Sequence, residues 1–183
     1  DAQFGWSVAA AQGTLLVGAP GAAGDTGTVY VFIRDAEGQY IQHSALQGAD
    51  ASPGQAFGHA IALDGHTAVV TAPGDRGAEA FPGAAYVFRH GDVAGFSQLA
   101  RLNADDWGAS ARFGASVAIL NDVIAVGASH AGLGGPESGA VALFGLDEAE
   151  GYVRTQILSS ANLAERDLFG SSVAVSEELI VVG

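Results

Sequence analysis

A phrase that opens with Phe-Gly occurs four times in this chain, and it limits the possible folds more than any other feature. The copies read FGWSVAAAQGTLLVGAP from Phe4, FGHAIALDGHTAVVTAP from Phe57, FGASVAILNDVIAVGAS from Phe113 and FGSSVAVSEELIVVG from Phe169. Successive copies begin 53, 56 and 56 residues apart. A regular period of this size is typical of an array of supersecondary units. The phrase therefore predicts a structural unit and not an active site.

Each complete repeat holds four runs of strand-forming residues. In the third repeat these runs are 116–120, 123–128, 139–146 and 152–158, and the first two repeats contain matching runs. The links between the first and second runs are QG at 12–13, DG at 64–65 and ND at 121–122, which suit tight antiparallel hairpins. No run is long enough, or helically periodic enough, to supply a crossover helix. Each repeat is therefore predicted to form an up-and-down sheet of four antiparallel strands.

Repeated sheets of this kind predict an all-β fold, a β-propeller whose blades stand around an axis. The second run of each repeat is apolar on both faces, which places it in the middle of a blade between two neighbours. The Phe of each Phe-Gly pair is expected to pack between blades. We predict one domain over 1–183, an arc of about three blades plus part of another, with repeats at approximately 4–56, 57–112, 113–168 and 169–183. A two-sheet sandwich is the competing fold, but it does not explain the period.

The pattern Phe-Gly-x-Ser-Val, then a hydrophobic run ending in Val-Gly-Ala-Pro, then Gly-x-x-Tyr-Val-Phe, resembles the FG-GAP repeat. The resemblance spans the whole chain, although the second copy lacks the Ser and the third lacks the Pro. FG-GAP repeats build the N-terminal propeller of integrin α subunits and parts of many bacterial surface proteins. The resemblance therefore implies an extracellular or cell-surface location. An integrin-type ring of seven blades would need ~390 residues, so we expect this chain to be a fragment, with any signal sequence outside it.

Many FG-GAP repeats carry a calcium loop of the Asp-x-Asp-x-Asp-Gly type between their first two strands. Calcium takes about six to eight oxygen ligands, several of them from carboxylates. The links at this position are short here and do not supply three spaced acids. The chain therefore resembles the calcium-free bacterial type, for which we expect no metal and no cofactor, with calcium as the remaining possibility.

Composition narrows the classes of partner. The net charge is −13 and Lys plus Arg total only 7, so the chain lacks the cations that a nucleic-acid partner would require. The apolar runs are much shorter than the ~20 residues of a membrane-spanning helix, so we expect no membrane insertion. There is no Cys, which excludes a disulfide framework and a thiolate zinc site.

Catalysis is not expected. The Ser residues at 7, 116 and 172 stand in a context similar to the Gly-x-Ser-x-Gly elbow, but they recur at a strand start and are interpreted as structural hydroxyls. Acids gather at one equivalent hairpin of each repeat, where a solvated turn is the simplest interpretation and a loosely bound cation the alternative. These acids are Asp35, Glu37, Asp92, Asp147, Glu148 and Glu150.

Two sets of loops differ in length and content while the strands repeat, and strand alternation brings both sets to one face. They join the second run to the third, and the fourth run to the next Phe-Gly. Loops held on a rigid scaffold commonly carry binding. The candidate ligand-binding residues are Asp25, Asp75, Arg76, Glu79, Phe81, Asp105, Asp106, Trp107 and Glu137. Trp107, in an acidic loop, is expected to anchor a partner, so that its replacement by Ala weakens binding with little change in melting temperature; packing between blades is the alternative.

We therefore expect a non-catalytic extracellular module for binding or adhesion, or a structural surface module. Its partner would be a protein or glycan ligand, further propeller blades or another subunit. One alternative is an assembly subunit whose incomplete ring polymerises or is completed by another chain. A second alternative is an accessory propeller of a larger secreted hydrolase.

Overall fold

The computed structural model describes residues 1–74, 82–91, 95–108, 110–160 and 162–183. In these ranges the chain forms fourteen strands, a helical turn at Ala22–Asp25 and a 3₁₀ turn at Asp105–Trp107. Neither described turn approaches the length or apolar character needed to cross a membrane. The strands form three antiparallel sheets of four strands and one sheet of two.

The sheets follow the repeats, and we number them blades 1 to 4. Blade 1 contains β1 (Ser7–Ala11), β2 (Thr14–Ala19), β3 (Thr28–Arg34) and β4 (Tyr40–Leu46). Blade 2 contains β5 (Ile61–Asp64), β6 (Thr67–Ala72), β7 (Ala84–Gly91) and β8 (Gly95–Leu102). Blade 3 contains β9 (Phe113–Leu120), β10 (Val123–Ala128), β11 (Ala140–Asp147) and β12 (Gly151–Leu158). Blade 4 contains β13 (Val173–Val175) and β14 (Ile180–Val182).

The strands within each complete blade are paired in chain order, as the alternating runs predicted. Some strands have the predicted ends, and the ends of the others differ by one to three residues. One predicted link was wrong by one position: Asp64 pairs with Thr67, so the turn of blade 2 is 65–66 and not 64–65. In the other two turns, Gln12 and Asn121 adopt positive φ together with the residue that follows each. These tight turns are what hold the first two strands of a blade side by side.

Adjacent blades are joined by a repeated backbone contact. The glycine before the third strand of one blade forms a parallel bridge with the Phe that opens the next repeat: Gly27 with Phe57, Gly83 with Phe113 and Gly139 with Phe169. At Gly27 the φ angle is +88°, and a β-carbon there would overlap the backbone of Phe57. The glycine of the Gly-x-x-Tyr-Val-Phe pattern is therefore required by this close approach.

The hydrophobic core lies between the blades. Phe57 and Phe113 are fully buried, which confirms that the Phe of the repeat packs at the joint. Apolar side chains from the second, third and fourth strands of one blade face the Phe side of the next. In the joint of blades 1 and 2, Leu16, Val29, Val31 and Leu46 face Phe57, Val70, Tyr86 and Phe88. All residues of β6 are buried, because blade 2 has a neighbour on each face.

The Ser of the repeat also ties one blade to the next. Ser7 Oγ donates to the carbonyl of Gly58 at 2.7 Å, and Ser116 Oγ donates to the carbonyl of Gly170 at 2.8 Å. Blade 2 has Ala60 where the other repeats have Ser, but its second strand supplies Thr71, whose hydroxyl accepts from the Ala60 amide at 3.0 Å. Sheets stacked face to face in this way are blades of a partial β-propeller, with three complete blades and two strands of a fourth.

Candidate binding face

Backbone hydrogen bonds bring the two sets of variable loops together at one end of the blades. The amide of Ala56, in the loop that leads from blade 1 to blade 2, donates to the carbonyl of Asp25 at 3.0 Å. The equivalent bond in the next-but-one repeat joins Leu168 N to Glu137 O at 3.3 Å. In the first and third repeats, the loop after the second strand therefore supports the loop that enters the next blade.

Two of the predicted site residues hold equivalent backbone positions at this end of the blades. Asp25 and Glu137 both adopt positive φ, at 62° and 53°. This conformation is unfavourable for residues other than glycine, and the bonds that their carbonyls accept hold it in place. The Glu137 side chain is exposed and forms an ion pair with Arg166 at 3.5 Å.

Trp107 lies in the core and not on the surface. Its ring packs edge-on against Phe113, with centroids 6.3 Å apart, and the residue is only 7% exposed. Its neighbours in the core belong to blades 2 and 3. Packing between blades, the alternative considered from the sequence, is therefore the role that the structure gives to this ring.

Asp106 connects the 3₁₀ turn to the outer strand of blade 3. Its carboxylate accepts two hydrogen bonds of 2.8 Å from Arg154, whose guanidinium also lies 5.7 Å from the centre of the Trp107 ring. The hydrogen bonds from Arg154 hold the pKa of Asp106 below its ordinary value, and the same bonds raise the pKa of Arg154. The turn between blades 2 and 3 is thus fixed to the rim of the propeller.

A groove of about 520 Å³ opens beside this ion pair. Its polar lining includes Arg101, Asn103, Asp105, Asp106, Tyr152 and Arg154. Asn103 Nδ2 donates to Asp105 at 2.9 Å, and Tyr152 OH donates to Asp122 at 2.7 Å. Burial, followed by this bond to Asp122, raises the pKa of Tyr152 to about 12. The groove thus offers donors and acceptors to a polar ligand.

The sequence indicated Asp105 and Asp106 as candidate binding residues of a loop, but it did not indicate the groove or its two arginines, Arg101 and Arg154. Arg101 forms an ion pair with Asp50 at 3.0 Å, one blade before the pair formed by Arg154 and Asp106. The partners are about 50 residues apart in the chain, so local sequence does not reveal them. The common signal is an Arg on a fourth strand together with an Asp in the preceding loop.

Four other predicted site residues belong to the loop between β6 and β7 of blade 2, and they lie outside the residues that the structure describes. They are Asp75, Arg76, Glu79 and Phe81. Phe81 stands at the sequence position equivalent to Asp25 and Glu137.

The acidic hairpins at the opposite end of the blades have a structural role. Asp147 accepts hydrogen bonds from the amides of Ala149 and Glu150 at 2.8 and 3.0 Å, which lower its pKa. Asp35 accepts from Gln39 N at 2.7 Å in the equivalent turn of blade 1. Within the described ranges, no three His, Asp or Glu side chains are placed to hold a metal ion. Asp92 is not among the described residues.

These features define the class of protein, a β-propeller module built from stacked repeats with variable loops on one face. The sequence matches the FG-GAP repeat family over residues 1–32, 40–88 and 96–144, more than half of the chain, and the chain therefore belongs to this family. The second and third matched segments begin on the fourth strand of one blade and end on the third strand of the next, so each includes a joint. No curated protein is similar enough in sequence to count as a relative.

Proposed function

We propose that this chain is a non-catalytic module of an extracellular or cell-surface protein, and that it binds a protein or glycan through its loop face. One observation carries the proposal: in the first and third repeats the two variable loops are hydrogen-bonded to each other, Ala56 to Asp25 and Leu168 to Glu137. Variable loops on a rigid repeated scaffold are the usual arrangement of a binding surface. Membership of the FG-GAP family supports a binding role.

The chemistry of the face indicates the kind of contact. Asp105 and Glu137 are exposed acids and Asp25 is half-buried, and the rim groove adds guanidinium and amide donors. Paired donors and acceptors of this kind can bind the hydroxyl groups of a glycan or the backbone of an extended peptide. The acidic character of the chain favours partners that are neutral or basic.

The test compares carboxylates at the two ends of the blades. The immobilised chain is screened against a glycan array and a panel of surface proteins, and the affinity of each hit is measured. We expect the Asp25→Asn/Glu137→Gln pair to weaken binding by about tenfold, equivalent to ~1.4 kcal/mol. Asn tolerates positive φ, and both changes keep the backbone carbonyls that accept the bonds from Ala56 and Leu168.

The control is Glu148→Gln/Glu150→Gln, which removes the same charge at one hairpin of the opposite end of the blades. It should leave affinity unchanged. An equal loss from both pairs would indicate non-specific attraction to an acidic protein, and the absence of any hit would contradict the proposed binding role.

A further inference from the structure

Three of the five histidines of the chain line one cavity at the joint of blades 1 and 2. The cavity has a volume of about 290 Å³ and lies at the end of the blades opposite the variable loops. His43 comes from β4 of blade 1, His66 from the turn between β5 and β6, and His90 from β7. Three different elements of two blades therefore bring imidazole rings to the same place.

Contacts between rings and backbone hold these histidines together. The rings of His66 and His90 are stacked with centroids 6.0 Å apart, and His90 N donates to His66 O at 2.8 Å. His90 also packs edge-on against Phe96, with centroids 5.0 Å apart. His43 reaches across the joint, because a β-carbon added to Gly95 of blade 2 would lie 3.8 Å from its Cε1 atom. The three rings thus form one group and are not independent surface side chains.

The other lining residues supply an apolar part and further polar atoms. Ile33 and Phe96 line the cavity and also pack against the core of the joint. Gln12 and Thr14 add an amide and a hydroxyl group. No Asp or Glu is among the described residues that line the cavity. The lining therefore offers hydrogen-bond donors without a described carboxylate to compete for them.

The next joint shows that the fold does not require histidine at these positions. By strand register, Asp122 of blade 3 takes the turn position of His66. Leu146 takes the third-strand position of His90. Both joints nevertheless bury the Phe of the repeat in an apolar core. The histidine group is therefore a property of the joint of blades 1 and 2 and not of the repeat.

The charged side chains of the surrounding elements have contacts of their own. These side chains are Arg34, Asp35, Glu37, Asp64 and Arg89, and Asp92 is outside the described residues. On blade 2, Asp64 accepts from the Asn121 amide of blade 3, and Arg89 pairs with Asp122 of blade 3 at 3.4 Å. On blade 1, Arg34 and Asp35 bond to the backbone of their own hairpin, where Glu37 is exposed. The described acids on these elements therefore do not neutralise the histidine group.

The chemistry of imidazole indicates the kind of ligand. Its N–H groups donate hydrogen bonds, and histidine ordinarily gains a positive charge between pH 8 and pH 5. Hydrogen bonds from a charged donor to an oxyanion are about twice as strong as those between neutral groups. The net charge of −13 opposes an anion only weakly here, since physiological salt screens exposed charges beyond about 8 Å. Donors that come from three elements suit a tetrahedral group, whose oxygens point in several directions.

We propose that this histidine cavity, formed around His43, His66 and His90, binds a sulfate or phosphate group, and that binding strengthens in acid. The small volume limits the ligand to the free ion or a small ester of it. The inference does not depend on the proposed role of the loop face, because the cavity lies at the other end of the blades.

NMR of the imidazole Cε1–H signals in the unaltered chain is the first test. Sodium sulfate is the probe, because sulfate keeps its double charge between pH 5 and pH 8, and sodium chloride holds the ionic strength constant. Sulfate should shift the signals of His43, His66 and His90. His59 and His130 do not line the cavity and are internal controls. We expect binding at least about fivefold tighter at pH 5.5 than at pH 7.5.

The second test removes the ring charges. His66→Gln/His90→Gln should weaken sulfate binding at pH 5.5 by about tenfold, because Gln stays neutral at every pH. His130→Gln, at the loop end, is the matched control and should leave the affinity unchanged. Melting curves check that both variants fold, and the NMR test on the unaltered chain does not depend on them. Titrations with inorganic phosphate and glucose 6-phosphate then distinguish the free ion from a sugar ester as the preferred form.

Three results would overturn the proposal: equal shifts of all five histidines, an affinity that does not rise in acid, or unchanged sulfate binding in the double variant. It is also overturned if equimolar zinc shifts the three rings while sulfate does not, because a metal ion would then be the ligand.

Discussion

At the scale of single residues, the Phe of the repeat packs against a further aromatic ring at each joint between complete blades. This ring comes either from the third strand or from the loop that enters the blade. In blade 2 the ring is Tyr86, which packs on Phe57 and lies against Gly48 of the incoming loop. Blade 3 has Ala142 at the position of Tyr86, and Trp107 from the incoming loop packs on Phe113. The small residue and the Trp are therefore complementary parts of the same joint.

Replacing Trp107 by Ala should destabilise the domain by about 3–5 kcal/mol, because it leaves a cavity between two blades. This expectation replaces the one drawn from sequence, in which the melting temperature hardly changed. Urea unfolding measures the effect. Adding Ala142→Tyr to Trp107→Ala should recover part of the lost stability, because the Tyr ring would fill the space left by the Trp. If the effects of the two substitutions on the free energy of unfolding simply add, the two side chains do not share this space.

Trp107→Phe is the milder companion change. The indole Nε1 is buried with no hydrogen-bond partner in the described part of the chain, so removing it breaks no polar contact. We expect it to cost less than about 2 kcal/mol, well below the Ala variant.

Gly27→Ala should disrupt the joint of blades 1 and 2. The change combines positive φ with overlap of the Phe57 backbone. Gly24 is a matched control, since its φ is +71° and no described atom lies within 4 Å of the added carbon. We expect about 1 kcal/mol at Gly24 and at least about 3 kcal/mol at Gly27 in urea unfolding. Equal losses of unfolding free energy at Gly24 and Gly27 would show that the close approach of Gly27 to the Phe57 backbone does not require glycine.

At the scale of elements, the strands could be predicted closely because hydrophobic alternation and turn residues are local signals. The turn of blade 2 was predicted one position too early. Asp64 is part of the strand, and its carboxylate accepts a hydrogen bond from Asn121 N of the next blade at 2.7 Å. Local sequence shows Asp-Gly as the turn and cannot show this partner. The burial of Trp107 stayed an alternative for the same reason, because Ala142, the residue that makes room for it, lies in the next repeat.

The ion pair of Asp106 and Arg154 should contribute to stability in a pH-dependent way. The pKa of Asp106 is lower in the folded chain, so its contribution is complete above the ordinary Asp pKa of about 3.9 and is lost as pH falls through the lower folded value. Because Asp106 is largely exposed, we expect less than about 1 kcal/mol. The difference in unfolding free energy between the wild type and Asp106→Asn should shrink in acid, and a difference that persists at the lowest pH would contradict this assignment.

Calcium should have little effect on the melting temperature. The turns at 12–13 and 121–122 hold two residues each, which leaves no space for a loop of six or more oxygen ligands. Calorimetry with millimolar calcium, against magnesium as control, tests this, and a rise of many degrees with calcium alone would contradict it.

At the scale of the whole molecule, the hydrophobic core lies between sheets and not within a single sheet. Stacked repeats of this type gain their stability from nearest-neighbour contacts. The sequence predicted this arrangement because the Phe-Gly phrase recurs in register. It did not predict the contacts of the rim groove, since these join residues of different repeats.

The most direct test is hydrogen exchange on the Phe113→Ala variant. Phe113 is fully buried between blades 2 and 3. We predict that amides of both β6 and β10 lose protection together, while β2 keeps more of its protection. If β10 alone were to lose protection and β6 stayed as in the wild type, the core would lie within a single blade, which would contradict a core formed between blades.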